Sequence, residues 1–480
     1  MKVRNWFLVL LSVLVLSFGC ENKAPKGADG SDADSSAFKN VNPMEKEANN
    51  INWVSNAVIY EVNVRQYTPE GTFAAFEKKL PQLQELGVDI LWFMPIHPIG
   101  MKNRKEDSTS MGSYYAVRDY KGVNPDFGTL EEFKALVKTC HDMGFKVVLD
   151  WVANHSAPDN HWVDEHPDWY TKDEEGNSPI PPMGTDWWDV ADLDYTNQEM
   201  RNAMIDALKF WVDECDIDGY RCDVAGEVPL DFWLEARPQI EENKKLFMLA
   251  EWEDPEFYKA FDFMYAWHLN HTMTEIYKGE ENVEDLVEMS CEDAPRWLNH
   301  ELEFETWGPY NHQMNFTTNH DENSWKENVI DRLGESNRMW AALSFMAPGL
   351  PLIYSGQEIG NDKTLLFFDK DEIDWTDRGG YFDFYKGLVK MKHENTALWV
   401  GENGASFESF KIDDENLYAF YRKGSADALI AFFNMSAEAQ TFALPENEHL
   451  GEFGMTAGDE LTLEPWSYKV ETIKTTPDGK

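Results

Sequence analysis

The sequence predicts an α/β fold: a (β/α)8 TIM barrel with an irregular insert after strand 3 and a C-terminal antiparallel β-sandwich domain. Short apolar segments alternate with amphipathic helical patterns through most of the chain, which is typical of a parallel sheet. Eight such segments favour a closed barrel over an open sheet. A late change to short alternating segments indicates a separate antiparallel domain.

The predicted barrel occupies residues 51–154 and 193–392. Its eight strands are short and apolar, and they cover residues 58–64, 88–96, 145–152, 219–224, 246–252, 261–265, 314–318 and 350–354. Helical patterns between them include residues 73–86, 130–143 and 198–214. The second of these ends before Gly144, and glycine favours a helix C-terminus.

Residues 155–192 interrupt this alternation, because they show no helical pattern and carry five prolines and four tryptophans. A loop of this length is usually functional. We therefore predict an inserted irregular domain over the barrel mouth. Its aromatic residues either line a sugar cleft or pack the insert itself, and the sequence leaves both readings open.

After residue 393 the pattern is that of a β domain, which we assign to residues 393–480. Turn residues separate six alternating segments, at 405–411, 417–422, 428–434, 440–444, 461–463 and 467–472. None of these segments carries an evident catalytic cluster.

The N-terminus has the features of an export signal. Lys2 and Arg4 precede an apolar run from residue 6 to 18, which is short for a transmembrane span. Gly19-Cys20 then resembles the lipobox of bacterial lipoproteins. We predict a lipoprotein-type signal peptide at 1–20, a polar flexible tether at 21–50 and a lipid anchor on Cys20 at the periplasmic or cell surface, with plain secretion as the alternative.

The formal net charge of −45 argues against nucleic acid and anionic membranes as partners, because a polyanion would be repelled. We expect a monomer that meets the membrane through Cys20 alone. The remaining cysteines show no zinc-binding spacing, and an exported protein could pair them, although we favour buried free thiols. They are Cys140, Cys215, Cys222 and Cys291.

Catalytic groups of a barrel lie at the C-terminal ends of its strands. Those ends carry Asp150, Asn154 and His155 (third strand), Arg221 and Asp223 (fourth), Glu251 (fifth) and His320 and Asp321 (seventh). Arg221 and Asp223 are two apart on one strand, so they point to the same side. Alone, this pair would be read as a structural ion pair. Its convergence with carboxylates from other strands indicates an active site.

Paired carboxylates are the requirement of glycoside hydrolysis. Beside the Arg221 cation, Asp223 is expected to stay ionised and to act as the nucleophile. Apolar neighbours favour the protonated form of Glu251, which suits a general acid. Asp321 then holds sugar hydroxyls and stabilises the transition state, while His155 and His320 donate to hydroxyls of that ring.

Four segments resemble the ordered motifs of the α-amylase family (glycoside hydrolase family 13). They are residues 150–155 (Asp-Trp-Val-Ala-Asn-His), 219–223 (Gly-Tyr-Arg-Cys-Asp), 250–252 (Ala-Glu-Trp) and 316–321 (Phe-Thr-Thr-Asn-His-Asp). Residues 112–129 and 349–358 resemble two further family segments, the first with its sugar-stacking Tyr at Tyr115. The resemblance implies a retaining mechanism on α-glucosidic bonds, with Asp223 as nucleophile, Glu251 as acid/base and Asp321 as stabiliser. It places Tyr115, His155, Arg221 and His320 against the sugar and gives Asp150 a structural role.

The chain departs from the family pattern just after Asp223. Many members carry Lys-His where this chain has Gly226 and Glu227. In those members the Lys-His pair contributes to substrate binding beyond the cleavage point, and the His backbone often helps to hold calcium. Asn154 matches the family's calcium-ligand Asn, so a structural Ca2+ is an open expectation, and no organic cofactor is expected. Val224 matches branches that cleave α-1,6 bonds.

These observations predict an exported α-glucan hydrolase, α-amylase-like, that cleaves mainly α-1,4 bonds in starch- or glycogen-like polymers and maltooligosaccharides. Within the class, the alternatives are an α-glucosidase or oligo-1,6-glucosidase and a glucanotransferase. The alternative outside the class is an inactive sugar-binding lipoprotein, although such proteins tend to lose the carboxylates that are all present here.

Overall fold

The computed structural model describes residues 51–105, 109–284, 286, 312–401 and 404–475. The predicted signal peptide and tether, together with Cys291, lie outside the described residues and stay predictions. Across the described residues no helix is both long enough and apolar enough to span a membrane.

The predicted barrel is confirmed. Its parallel strands are β1 Ile59–Val62, β2 Ile90–Phe93, β3 Lys146–Trp151, β4 Gly219–Cys222, β5 Phe247–Ala250, β6 Phe263–Tyr265, β7 His312–Asn315 and β8 Leu350–Tyr354. They close in the order β1-β8-β7-β6-β5-β4-β3-β2. The strands are apolar because both of their faces are covered. Three buried charged residues are exceptions among the described barrel strands: Glu61 on β1, Asp150 on β3 and Arg221 on β4.

Helices cover the outside of the barrel. In chain order the described helices are Val64–Tyr67, Phe73–Glu77, Leu80–Leu86, Leu130–Asp142, His161–Glu165, Gln198–Cys215, Leu230–Ile240, Trp267–Lys278, Val329–Leu333, Asn337–Met346 and Tyr381–Glu394, of which His161–Glu165 belongs to the insert. The single helix predicted at 73–86 is wrong, since two helices lie there. Pro81 explains the break, because it has no N–H to donate and is tolerated in the first turn of a helix, where it lies here.

The insert contains more regular structure than the sequence indicated. The expectation that it has no helix is wrong, because His161–Glu165 forms a one-turn helix that the Asn160 side chain caps. A short 3-10 turn, Pro167–Trp169, follows it. His155 pairs with Asp192 in a two-stranded antiparallel ladder, so the two ends of the predicted insert lie side by side.

The C-terminal domain is an antiparallel sandwich, as predicted. Its strands are β9 Ser406–Lys411, β10 Leu417–Lys423, β11 Asp427–Asn434, β12 Gln440–Ala443, β13 Glu460–Leu463 and β14 Tyr468–Lys474. One sheet has the order β9-β10-β11-β14 and the other pairs β12 with β13. Phe432 and Phe442 pack across the two sheets with ring centroids 6.2 Å apart.

Three of the predicted free thiols are confirmed. Cys140, Cys215 and Cys222 are buried and form no disulfide. Cys222 lies on β4 between Arg221 and Asp223 in sequence, and its burial raises the pKa of its thiol well above the usual value. It therefore behaves as an apolar core side chain.

Candidate active site

Arg221 lies at the centre of the site and is fully buried at the end of β4. The parallel register sets Asp150 of β3 directly beside it. Its Nη1 donates to Asp150 and to Asp223, each at 2.9 Å, and its Nε donates to the Tyr265 hydroxyl at 2.9 Å. Its Nη2 lies 2.8 Å from Glu251 Oε2. One guanidinium thus gathers three carboxyl groups from three neighbouring strands.

The turn after β4 sets the position of Asp223 and Glu251. The strand was predicted to continue to Val224 but ends at Cys222, because Val224 has a left-handed φ of 35°. A β-branched residue rarely adopts this conformation. It directs the Val224 N–H at Glu251 Oε2, 2.8 Å away, while the Asp223 N–H bonds to the Trp151 carbonyl at 2.9 Å.

Burial is the main influence on the two carboxyls beside Arg221. It raises the pKa of Asp223 to about 6, against the opposing effect of the Arg221 charge. It raises the pKa of Glu251 to about 8, again opposed by Arg221. The pKa of Asp223 is therefore above its usual value, although the cation keeps the group ionised at neutral pH. Glu251 is protonated there, as the sequence predicted.

Tyr115 and His320 form the opposite wall of the site. The Tyr115 hydroxyl donates to Asp150 Oδ2 at 3.1 Å and lies 2.7 Å from His320 Nε2. His320 Nδ1 lies 2.5 Å from Glu61 Oε1. Burial alone would lower the pKa of His320, but the charges of Asp321 and Glu61 outweigh it and raise that pKa to about 9. Both ring nitrogens of His320 are therefore protonated at neutral pH, which fits the two acceptors they face.

Asp321 and His155 complete the set of predicted residues. The Asp321 side chain is 33% exposed and lies 3.3 Å from His320 Nε2, so its carboxylate faces the barrel mouth. His155 is buried beneath the insert, with its ring edge against Trp187 at 5.6 Å. Burial lowers the pKa of His155 to about 4, and its ring bonds to the Tyr115 backbone. The structure brings all seven predicted catalytic and sugar-contact residues to one end of the barrel.

Two residues of this site were missed from the sequence. Glu61 holds His320, and Tyr265 accepts from Arg221. Glu61 carried a signal that could have found it, because it is a charged residue inside an apolar strand whose two faces are both covered. Tyr265 carried none, since tyrosine is common in strands.

Calcium was expected near Asn154, whose amide lies 3.3 Å from His155 Nδ1 and is 5% exposed as a residue. Among the described residues, no three His, Cys, Asp or Glu side chains converge to form a metal site. The acidic insert therefore does not supply a carboxylate cluster for calcium in the part of the chain described. Since calcium also binds amide and backbone oxygens, the Asn154 site stays a prediction and no chemical step depends on it.

A closed parallel barrel that presents two carboxyls of unequal pKa on one buried cation is the arrangement that a glycoside hydrolase requires. The chain belongs to the α-amylase family, because the family model described as "Alpha amylase, catalytic domain" matches residues 31–411. This match confirms the family that the sequence motifs indicated.

Proteins of similar sequence include an α-amylase and a probable oligo-1,6-glucosidase. Alpha-amylase MalA of Haloarcula japonica is 26% identical over 428 residues, which cover 85% of this chain and 60% of the relative. Probable oligo-1,6-glucosidase 3 of Bacillus subtilis is 23% identical over 387 residues, covering 64% of this chain and 66% of the relative. The chain thus spans less than two thirds of the length of either.

Among solved structures, an α-amylase from Lactobacillus plantarum is 31% identical and superimposes with a TM-score of 0.73. The alignment covers 87% of this chain and 99% of that protein. The barrel and the C-terminal sheet domain therefore occur together in a relative of nearly the same extent.

Proposed function

We propose that this chain hydrolyses α-glucosidic bonds, mainly α-1,4, in starch- or glycogen-like α-glucans and maltooligosaccharides. One observation carries the proposal: the Arg221 guanidinium holds Asp223 at 2.9 Å and Glu251 at 2.8 Å, and their pKa values differ. Two carboxyls that share one cation are close together, as they are in retaining glycosidases, where they are about 5–5.5 Å apart. The name of MalA as an α-amylase supports the same substrate class.

In this proposal Asp223 attacks the anomeric carbon while the bond to the leaving sugar oxygen breaks. Glu251 gives its proton to that oxygen. In the second step Glu251 takes a proton from water, the water oxygen attacks the anomeric carbon, and the bond to Asp223 breaks. Asp321, His155 and the positively charged His320 contact sugar hydroxyls, Tyr115 packs against the ring, and Arg221 positions both carboxyls.

Asp223→Asn tests the central assignment. We expect it to reduce turnover of maltoheptaose by several orders of magnitude, since the covalent step is lost. Asp213→Asn is the matched control, because Asp213 is an exposed Asp on the helix Gln198–Cys215. Full activity of Asp223→Asn would disprove the nucleophile assignment. A wild-type protein that binds maltoheptaose without cleaving it would support the inactive lipoprotein instead.

A second candidate is an oligo-1,6-glucosidase or α-glucosidase, which Val224 and the name of the Bacillus subtilis relative favour. A glucanotransferase uses the same groups with a sugar in place of water. The products from maltoheptaose, pullulan and isomaltose separate these activities. Cleavage of isomaltose with no action on maltoheptaose would favour the α-1,6 candidate, and products longer than the substrate would favour transfer.

We also propose that the protein is exported and anchored by a lipid on Cys20. The support is the sequence of residues 1–20. Cys20→Ser should move the protein from the membrane fraction to the soluble fraction of the cell. If the wild-type protein is already found in the soluble fraction, plain secretion is the better description.

A further inference from the structure

Glu61 is a charged side chain in an otherwise apolar strand, and the proposed mechanism gives it no role. It is fully buried on β1, where the parallel register sets it between Trp92 of β2 and Tyr354 of β8. Its Oε1 lies 2.5 Å from His320 Nδ1, whereas its Oε2 has no hydrogen-bond partner among the described residues. A buried carboxylate with one strong partner costs folding free energy. Such exceptions to local rules are concentrated at functional sites.

The His320 ring is enclosed on the sides that do not face Glu61. The Tyr115 ring stacks on it at 5.4 Å with the planes 20° apart, and the Trp92 ring meets it edge-on at 6.1 Å, both measured between centroids. Nδ1 faces Glu61 inside the barrel, while Nε2 faces the Tyr115 hydroxyl at 2.7 Å and Asp321 Oδ2 at 3.3 Å. Glu61 therefore sets the direction in which the Nε2–H donates.

Charged and titratable groups face the Glu61–His320 pair from six sides of the site. The tyrosines among them are neutral, because burial raises their pKa values well above the usual value. Arg221 is the one cation of the set, and the other members are carboxyls. The groups are Tyr115 after β2, Asp150 on β3, Arg221 on β4, Tyr265 on β6, Asp321 after β7 and Tyr354 on β8.

Glu61 is one of two groups that keep His320 charged. Burial lowers the pKa of His320, but the charges of Asp321 and Glu61 raise it to about 9, above the value of about 8 for Glu251. Asp321 acts through its charge and is 33% exposed, so solvent screens it. Glu61 acts through a buried charge and a hydrogen bond. Without Glu61, we expect the pKa of His320 to fall below that of Glu251.

We propose that Glu61 is a positioning residue of the hydrolase, which fixes the His320 ring and keeps it a cation, so that Nε2 donates to a sugar hydroxyl across the working pH range. This rests on the proposed function. A neutral His320 that donates from Nδ1 has no proton on Nε2 to give to the sugar. A donor that carries charge also forms a hydrogen bond about twice as strong as a neutral one. Because Glu61 is fully buried, it acts through His320 and does not touch the sugar.

The pH dependence of kcat/KM on 4-nitrophenyl α-maltoside tests this proposal in the Glu251→Gln background, in which residue 251 cannot titrate. The nitrophenolate leaves with little help from an acid, and kcat/KM reports only the steps up to bond cleavage, so the rates stay measurable. In Glu251→Gln the rate should not fall as the pH rises from about 6.5 to about 8.5. Adding Glu61→Gln should make it fall about tenfold over this interval, because His320 then loses its proton there.

Three further variants separate charge from position. With His320→Gln added, Glu61→Gln should no longer cause the alkaline fall, since residue 320 cannot titrate. Glu61→Asp keeps the charge but is shorter, so it should lower kcat/KM about tenfold at every pH and add no alkaline fall. Glu131→Gln is the matched control and should change nothing, because Glu131 is exposed on the helix Leu130–Asp142.

An equal loss of kcat/KM at every pH in Glu61→Gln would show a merely structural residue, and the assignment would be wrong while the proposed hydrolase stands. A wild-type rate and profile in Glu61→Gln would also overturn it. If Glu61→Gln does not fold, Glu61→Asp decides, since wild-type kcat/KM in that variant would exclude a positioning role.

Binding separates the two proposals if no aryl glycoside is cleaved, an outcome that would count against the hydrolase. Maltotetraose is titrated calorimetrically into Asp223→Asn at about pH 8, with and without Glu61→Gln, in buffers of different ionisation enthalpy. The double variant should bind about tenfold more weakly and take up more protons on binding, because the sugar favours the protonated form of His320. Equal affinity and equal proton uptake would overturn the role of Glu61.

Discussion

At the residue scale, the site depends on how burial acts on two carboxyls that share one cation. Arg221 lowers the pKa of both Asp223 and Glu251, yet burial raises both, to about 6 and about 8. The proposed chemistry requires the first to be ionised and the second protonated. The interval between the two values contains neutral pH, so both groups are in their working states there.

The lower pKa of Asp223 and the higher pKa of Glu251 predict a bell-shaped pH profile of kcat/KM. Activity should rise as the pH increases through about 6, where Asp223 loses its proton, and fall as it increases through about 8, where Glu251 loses its own. Rates on 4-nitrophenyl α-maltoside, measured from well below the lower pKa to well above the upper one, test this profile. Glu251→Gln should remove the alkaline limb, since glutamine does not titrate. A wild-type rate that stays constant well above pH 8 would contradict the assignment of Glu251.

The residues that the sequence could and could not predict differ in a physical way. Arg221 and Asp223 were predictable, because strand alternation places residues two apart on one side. The pairing of Glu61 with His320 was not, because it joins β1 to β7 across the closure of the barrel. The sequence also did not indicate that the pKa of Asp223 is raised, since local sequence shows the neighbouring cation but not the extent of burial.

At the element scale, the turn after β4 departs from the family pattern for a reason visible in its packing. A Cβ at Gly226 would overlap the indole ring of Trp252. Trp252 directly follows Glu251, so the loops after β4 and β5 fit together only when residue 226 lacks a side chain. The Lys-His pattern of many family members therefore cannot be accommodated at this turn with Trp252 in place.

Gly226→Ala should lower kcat/KM by about tenfold, because Trp252 must move and Glu251 moves with it. Trp252→Ala should also lower kcat/KM, because packing around Glu251 is lost. The double variant should lose less than the sum of the two single losses, since the alanine at 226 then has room. Gly387→Ala is the control, because no atom lies near its added Cβ in the helix Tyr381–Glu394. If the losses in kcat/KM of Gly226→Ala and Trp252→Ala are additive in the double variant, the two residues are not coupled.

Elements in which apolar residues recur with a clear period were the most predictable. The alternating strands of the C-terminal domain lie within a residue or two of their predicted bounds, because alternation between apolar and polar residues is a strong local signal for a strand. The insert was less predictable. Its short helix depends on the Asn160 cap and on packing of Trp162 and Trp169, whose rings are 5.2 Å apart. Contacts between distant residues decide such segments, and local pattern does not reveal them.

At the scale of the whole molecule, the C-terminal sheet and the barrel share one core. Alternate residues of β10 point in opposite directions. Tyr418 and Phe420 belong to the apolar cluster that also includes the barrel helices, whereas Leu417 and Ala419 belong to a second cluster with the two-stranded sheet. Arg422, buried on the same strand, donates to the Met346 carbonyl at the end of a barrel helix, 2.7 Å away. The C-terminal domain therefore completes the barrel core as well as its own.

A shared core predicts that barrel and C-terminal domain unfold together, in a single calorimetric transition. Phe420→Ala should lower the midpoint of that one transition, with a loss of about 3–5 kcal/mol for a fully buried ring. Phe442→Ala, in the two-stranded sheet and half-buried, should cost less. Two resolved transitions in the wild-type protein, or a Phe420→Ala variant in which one domain melts early, would show that the domains are energetically separate. The shared core also bears on the active site. Arg422 donates to the Met346 carbonyl at the end of the helix Asn337–Met346, and β8 follows this helix in the chain. Loss of the C-terminal domain should then destabilise β8, which lies next to β7, and the segment after β7 carries Asp321.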